Sequence, residues 1–369
     1  MFKIYNEKAI IADKGNIPIN KESKGQKEDK SIKENKLLYI TKLNNYLKEK
    51  NKQFSENFEL LELVGSGSES DVYKTMFKKT KKIICCKIIR KKNQTKIQNY
   101  NEYKISNILK NKNIIDTYGG SIIKEGEIDC ILMEYAKYGN LRDFQKLLRK
   151  RIFSETFLCF ISYQILSGLK YLYINKITHM DLKPQNLIVD EYLNVKIIDF
   201  SVSLDYKKID SNKIRLPFRG TNFYIAPEVI NNETINVNDL NKIDLYSLGV
   251  ILYNLAFCKY PFDLKNEDAK KYDKIYKKIM KEWELKDKEN NNYSSYFIDF
   301  LQKLLEKDIN KRININEALN HYWVKGGKII YDEKEKINNT NLFLIYLIKN
   351  NIKNFNDYIK SKNDFFDFY

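Results

Sequence analysis

The sequence predicts an α+β protein, a small β-rich lobe followed by a larger, mainly helical one. Three observations carry this. Between Phe58 and Tyr135 the apolar residues fall in short β-type runs, FELLELVG, DVYKTMF, KKIICCKII and CILMEY, with one helical stretch, NEYKISNILKN, among them. After GNLRDF the pattern turns helical, and FSETFLCFISYQILSGLKYLYINK reads as a long buried helix interrupted later by a strand cluster around residue 180. With 369 residues, 43% of them hydrophobic, the chain can bury two lobes. Strands first and helices later is the order of an α+β fold.

Taken from the N-terminus, residues 1–57 form a lysine-rich extension. KGQKEDK reads as a solvated loop, and SIKENKLLYITKLNNYLKEK sets Ile32, Leu37, Ile40, Leu43 and Leu47 at three- and four-residue steps, one amphipathic helix. That helix either caps the small lobe or recruits a partner. The central domain spans 58–323, split into a lobe over 58–136 and another over 137–323. The remainder, 324–369, is a helical and aromatic tail: NLFLIYLIKNNIKNFNDYIK is amphipathic, and NDFFDFY closes the chain with Phe365 and Phe368 as an F-x-x-F.

Sixty-five Lys+Arg against 48 Asp+Glu give a formal charge of +17. The lysines are interleaved with Asn, Ile and Tyr along the whole chain and form no basic helix or aromatic-basic module, so no nucleic-acid partner is expected. The charge does attract acidic surfaces. The five cysteines, Cys85, Cys86, Cys130, Cys159 and Cys258, show no CxxC spacing and read as small core residues in a reducing compartment. The N-terminus lacks an apolar signal stretch, Phe2 excludes myristoylation, and LFLIYLI at 342–348 is too short to span a bilayer. A cytoplasmic or nuclear location without a membrane span is expected.

Four segments carry chemistry. In VGSGSESDV, Gly65 and Gly67 let backbone amides approach phosphate oxygens; Ser70 stands at the third position of a G-x-G-x-x-G pattern, so the run fits a plain hairpin equally well. Lys87 lies inside an apolar strand and needs an anion unless it snorkels at an edge; Glu102, fifteen positions on, is the natural partner. HMDLKPQN places Asp181 to accept a hydroxyl proton, Lys183 to neutralise phosphate charge and Asn186 to hold a metal. KIIDF places Asp199 eighteen residues after Asp181, the length of a hairpin that carries two carboxylates to one place, where hard oxygen ligands suit magnesium.

In that order, GSGSESDV, CCK, MEYAKYGNL, HMDLKPQN, DFS, GTNFYIAPE, DLYSLGV and NKRININEAL make the chain resemble a eukaryotic protein kinase of the serine/threonine type, from about Phe58 to Trp323. The resemblance implies a bilobal protein kinase-like fold with ATP and Mg2+ bound. It implies nucleotide contacts from Gly65, Ser66, Gly67, Ser68, Val72, Cys85, Lys87, Ile188, the gatekeeper Met133 and the hinge from Glu134 to Ala136. It also implies that Thr221 touches Asp181 and Lys183, that Glu228 pairs with Arg312, and that Asp244 holds the catalytic loop.

The chain departs from the family at defined places. Met180 replaces the loop arginine that binds an activation-segment phosphate, and Pro217, without a hydroxyl, occupies the usual phosphorylated position. Receiver and signal are missing together, so activation without that phosphorylation is expected. Ser201 replaces the glycine of D-F-G. Ser106 and Thr117 put hydroxyls where apolar residues stack on Phe200, which loosens the active arrangement unless they find hydrogen bonds. Glu69 and Asp71 add negative charge at the loop tip. Asn140 and Asn254 replace acids that favour basic substrates, which points to neutral or acidic protein targets. The expected activity is transfer of the γ-phosphoryl of Mg-ATP to protein serine or threonine; the alternative is an ATP-binding pseudokinase acting as scaffold. The FFDFY end is a docking candidate, in cis beside the Glu102 helix or for another protein.

Overall fold

A computed structural model of the chain describes residues 30–67, 70–90, 96–122, 128–148, 153–207, 209–262, 276, 279 and 293–336. It comprises two compact units, the first ending at Tyr135 and the second running from Ala136, with residues 111–114 belonging to the second. The expected α+β, kinase-like partition of strands and helices is what the structure contains. Ser68, Glu69 and the tail with Phe365 and Phe368 lie outside the described residues.

The first unit is a sheet in the order β1 (Phe58–Ser66), β2 (Ser70–Phe77), β3 (Lys82–Arg90), β5 (Ile128–Glu134), β4 (Thr117–Ile122), every pairing antiparallel. Its helices are α1 (Lys30–Lys50), α2 (Lys52–Asn57) and α3 (Lys96–Ile108). Packing runs without a break through residue 57: Ile40, Leu47 and Phe54 share one buried cluster with Phe58, Leu60, Tyr73 and Phe77. The Asn44 side chain also pairs with the backbone of edge strand β1, donating to Leu60 O (2.9 Å) and accepting from Leu60 N (3.1 Å). β1 slips register between Leu60 and Glu62, so the amide satisfies strand groups that the ladder leaves over. The buried stripe of α1 is narrower than the periodicity suggested, because Leu37 is 64% exposed.

The second unit is built on α5 (Glu155–Ile174) and α7 (Asn241–Phe257), with α4 (Leu141–Leu147), α6 (Pro227–Ile230), α8 (Ser295–Leu304), α9 (Ile315–Asn320) and α10 (Tyr322–Lys336) around them. By length and composition α5 would cross a membrane, yet Phe157, Leu158, Phe160, Ile161, Ile165 and Leu166 are buried within the unit, the pattern of a core helix. α10 crosses it closely: a Cβ on Gly327 would lie 2.2 Å from Cys159 O. Four of the cysteines are buried as expected, but Cys258 is exposed. It terminates α7 in the left-handed conformation (φ 58°), and its amide satisfies Asn254 O, so its side chain leaves the core where the helix stops.

Candidate active site

In the first unit the predicted residues gather on the sheet. Gly67 N donates to Ser70 O (2.9 Å), closing the β1–β2 turn, and Ser66 Oγ donates to Asp71 Oδ1 (2.6 Å). The loop-tip carboxylate thus has a hydroxyl partner. Val72 faces Lys87 in the β2–β3 register, and Cys85 faces Met133 between β3 and β5. Burial, helped by the Glu134 charge, pushes the Cys85 thiol up to about 12, so it is an inert packing group. Glu134 accepts from Asp116 N (3.1 Å) while its own amide donates to Asp116 O (2.9 Å).

Lys87 Nζ lies 2.5 Å from Glu102 Oε1, with the two side chains only 10% and 5% exposed. An ammonium in an apolar strand demands such a partner, since unpaired burial of charge costs several kcal/mol, about 3–5 when one member of a pair is removed. Of the two hydroxyls expected to loosen this region, Ser106 finds a bond to Tyr103 O (3.1 Å), whereas the buried Thr117 Oγ1 has no hydrogen-bond partner among the described residues.

In the second unit the HMDLKPQN loop follows β6 (Ile177–Thr178) and precedes the hairpin of β7 (Leu187–Val189) and β8 (Val195–Ile197). Asp181 is held from three sides. Thr221 Oγ1 donates to its Oδ1 (2.7 Å), Lys183 Nζ reaches Oδ2 (2.7 Å), and Asn186 Nδ2 donates to its carbonyl (2.9 Å) and, more weakly, to Oδ2 (3.3 Å). Lys183 also donates to Thr221 Oγ1 (2.9 Å), closing a triangle. Both contacts of Asn186 use its nitrogen, which turns the amide oxygen toward other company. Asp199 comes two positions after the end of β8 and adopts a left-handed φ of 68°. Ile188 pairs with Lys196 in the hairpin and bridges to Asn140, and buried Ala136 begins a turn in which its carbonyl accepts from Gly139 N (3.2 Å).

The loop is anchored from below. Buried Asp244, on α7, accepts from His179 N (2.7 Å) and Met180 N (2.9 Å). Burial raises its carboxyl above the ordinary range, and the two amides oppose that rise. His179 Nδ1 faces Asp181 N, so Nε2 carries the proton donated to Ile198 O (2.9 Å); the ring stands edge-on to Phe200, centroids 5.5 Å apart. Met180 is buried with φ 69°. Glu228 and Arg312 pair bidentately (2.6 and 2.9 Å).

Sequence reasoning missed how residues 204–237 are tied down. β9 (Leu204–Asp205) pairs with β6, and β10 (Lys213–Arg215) forms an antiparallel ribbon with β11 (Thr234–Asn236). Leu216 N to Glu233 O and Val237 N to Asn212 O, both 2.9 Å, extend the ribbon at its two ends, and Leu216 and Ile235 are buried under it. The β-branched Ile214 and Ile235 facing one another were the available signal. Gly220 was also missed, although its place directly before Thr221 in a G-T pair is visible in the sequence.

The comparisons with known proteins agree with this arrangement. The family model described as protein kinase domain matches residues 58–324. Serine/threonine-protein kinase dst2 of Dictyostelium discoideum is 34% identical over 74% of this chain and 23% of its own length. The same organism's serine/threonine-protein kinase pakH is 31% identical over 74% of this chain and 50% of its own length. The MAP kinase kinase MKK1/SSP32 of Saccharomyces cerevisiae is 30% identical over 73% of this chain and 54% of its own. The chain therefore spans about half the length of these relatives or less.

Proposed function

Because the chain belongs to the protein kinase family, we propose that it transfers the γ-phosphoryl of Mg-ATP to serine or threonine hydroxyls of proteins, and that it does so without an activation-segment phosphate. The observation that carries the first part is the Asp181–Lys183–Thr221 triangle. Thr221 and Lys183 fix the carboxylate so that it accepts the proton of the attacking hydroxyl, and Lys183 sets a positive charge where phosphate charge develops. In the first unit, Lys87 braced by Glu102 would bind the ATP phosphates together with the backbone around Gly65 and Gly67, and the segment from Met133 to Glu134 would serve the adenine. Asn186 and Asp199 would hold magnesium: an amide oxygen and a carboxylate oxygen are the hard donors it prefers. The ion supplies neutralisation of phosphate charge when bound.

The β10–β11 ribbon supports the second part. Three strand residues on either side, with buried Leu216 and Ile235, order the segment that a phosphate and its arginine order elsewhere, while Met180 and Pro217 leave neither receiver nor signal. The competing reading, nucleotide binding without transfer, draws on the unpartnered Thr117 hydroxyl and on Ser201. The deciding experiment follows labelled phosphate from Mg-ATP to the protein itself and to an acidic test protein, with Asp181→Asn beside it, before and after phosphatase treatment. Transfer that vanishes in the variant and survives the phosphatase is expected. Thermal stabilisation by ATP without any transfer would establish the scaffold, and loss of transfer after phosphatase would return the control to phosphorylation.

A further inference from the structure

Arg142, near the start of α4, is half-buried and has only neutral partners among the described residues. Its guanidinium donates to Gln145 Oε1 (3.3 Å), the Tyr224 hydroxyl (3.3 Å) and Asn254 Oδ1. The Asn254 amide is oriented by its own donation to Lys259 O (3.3 Å), which turns the oxygen toward the arginine. Burial keeps the Tyr224 phenol protonated, and the nearby Asp143 carboxylate is already shared by Asn140 and Lys146. A full positive charge therefore sits among dipoles. These bonds use Nη1 once and Nη2 twice, so Nε–H and one Nη1–H remain, on different edges of the guanidinium, each able to donate singly to a carboxylate or phosphate oxygen.

The place of this charge gives it meaning. Tyr224 N donates to Thr221 O (2.8 Å), so the residue that touches Arg142 and the residue that holds Asp181 share one turn. Beside them Tyr260 stacks on Phe223 (centroids 4.5 Å apart) and its hydroxyl meets that of Tyr224 (3.4 Å). We infer that Arg142, framed by Tyr224 and Asn254, binds an anionic side chain of the protein substrate, a carboxylate or a phosphomonoester, within about six residues of the phosphorylated hydroxyl. The reach follows from the three-position step from Thr221 to Tyr224 plus one tyrosine side chain, against roughly 3.3 Å per residue of extended peptide. This rests on the phosphotransferase reading and names the substrate class of that same site.

The test scans one Glu, one phosphoserine or one Lys through positions on both sides of the serine in an otherwise neutral peptide, with the full chain and with Arg142→Gln and Arg142→Glu. At one position Glu or phosphoserine should raise kcat/KM about tenfold over Ala. Arg142→Gln should erase that preference and Arg142→Glu should transfer it to Lys, a gain that misfolding cannot produce. Phosphoserine outdoing Glu at that position identifies the phosphomonoester as the ligand; equality makes a carboxylate sufficient. Transfer with no acidic preference at any position, or a preference unchanged in both variants, overturns the inference and leaves the activity standing. If no peptide is phosphorylated, the activity reading fails. Anisotropy of the same peptides, labelled, then decides: tighter binding of the acidic peptide lost in Arg142→Gln supports the site, and equal binding overturns it.

Discussion

Gly220 and the Met180 carbonyl are in a contact that no other residue at position 220 could keep: a Cβ there would stand 2.6 Å from Met180 O, and Gly220 has a φ of 110°. Each is directly followed by a member of the Asp181–Lys183–Thr221 triangle, Asp181 on one side and Thr221 on the other. The close approach of the two backbones is what brings Thr221 Oγ1 to 2.7 Å from Asp181 Oδ1.

Gly220→Ala is accordingly predicted to push the two segments apart. The strained φ alone costs about 1–3 kcal/mol, and transfer should fall at least tenfold as the Thr221 bond is lost. Thermal denaturation and the labelled-phosphate assay read the two effects. Wild-type activity in this variant would show that the approach does not position Asp181.

The Glu228–Arg312 pair has side chains 2% and 0% exposed. Arg312 further donates to Glu306 O (2.7 Å) and Lys242 O (3.0 Å). Arg312→Met should destabilise the second unit by about 3–5 kcal/mol, because it leaves Glu228 buried without its cation. The double variant with Glu228→Gln should lose less than the two single losses added, as measured by urea denaturation. Strict additivity would mean that the two groups do not act on one another.

Thr117 points in the opposite direction. Its hydroxyl is buried and makes no hydrogen bond among the described residues, so Thr117→Val keeps the shape and removes the desolvated group. We expect the first unit to gain about 1 kcal/mol. A lower denaturation midpoint would reveal a partner for the hydroxyl.

His321 makes stability depend on pH. Burial pushes its imidazole below the ordinary value of about 6.5, although Asp299 Oδ2 lies 2.8 Å away and favours the charged form. The unfolded chain therefore takes up this proton first as pH falls. The group's contribution is complete above about pH 6.5 and is lost as pH drops through the folded-state value. The urea midpoint should fall more between pH 7.5 and 5.5 for the wild type than for His321→Gln; equal falls would remove His321 from the account.

Much of the site could be read without coordinates because its chemistry is local. HMDLKPQN holds Asp181, Lys183 and Asn186 within six positions, so the spacing of the segment already limits how its side chains meet. The Lys87–Glu102 pair followed from a charge placed in an apolar strand, whose burial requires a partner nearby. The residue types that motivate the proposal of activation without a phosphate were visible in the sequence, since Met180 has no charge and Pro217 no hydroxyl.

The tertiary structure decided what depends on distant segments meeting. That α1 is part of the first unit's core rests on Asn44 pairing with Leu60, sixteen positions away, at a register slip that the sequence does not mark. The bond between Arg142 and Asn254 spans 112 positions, and the β10–β11 ribbon joins two short runs that carry no strand signature strong enough to pair by themselves. Composition and spacing constrain neighbours along the chain, within a turn or a hairpin. Which polar groups far apart in sequence come to satisfy one another is settled only when the core forms and leaves each buried donor and acceptor a limited set of partners.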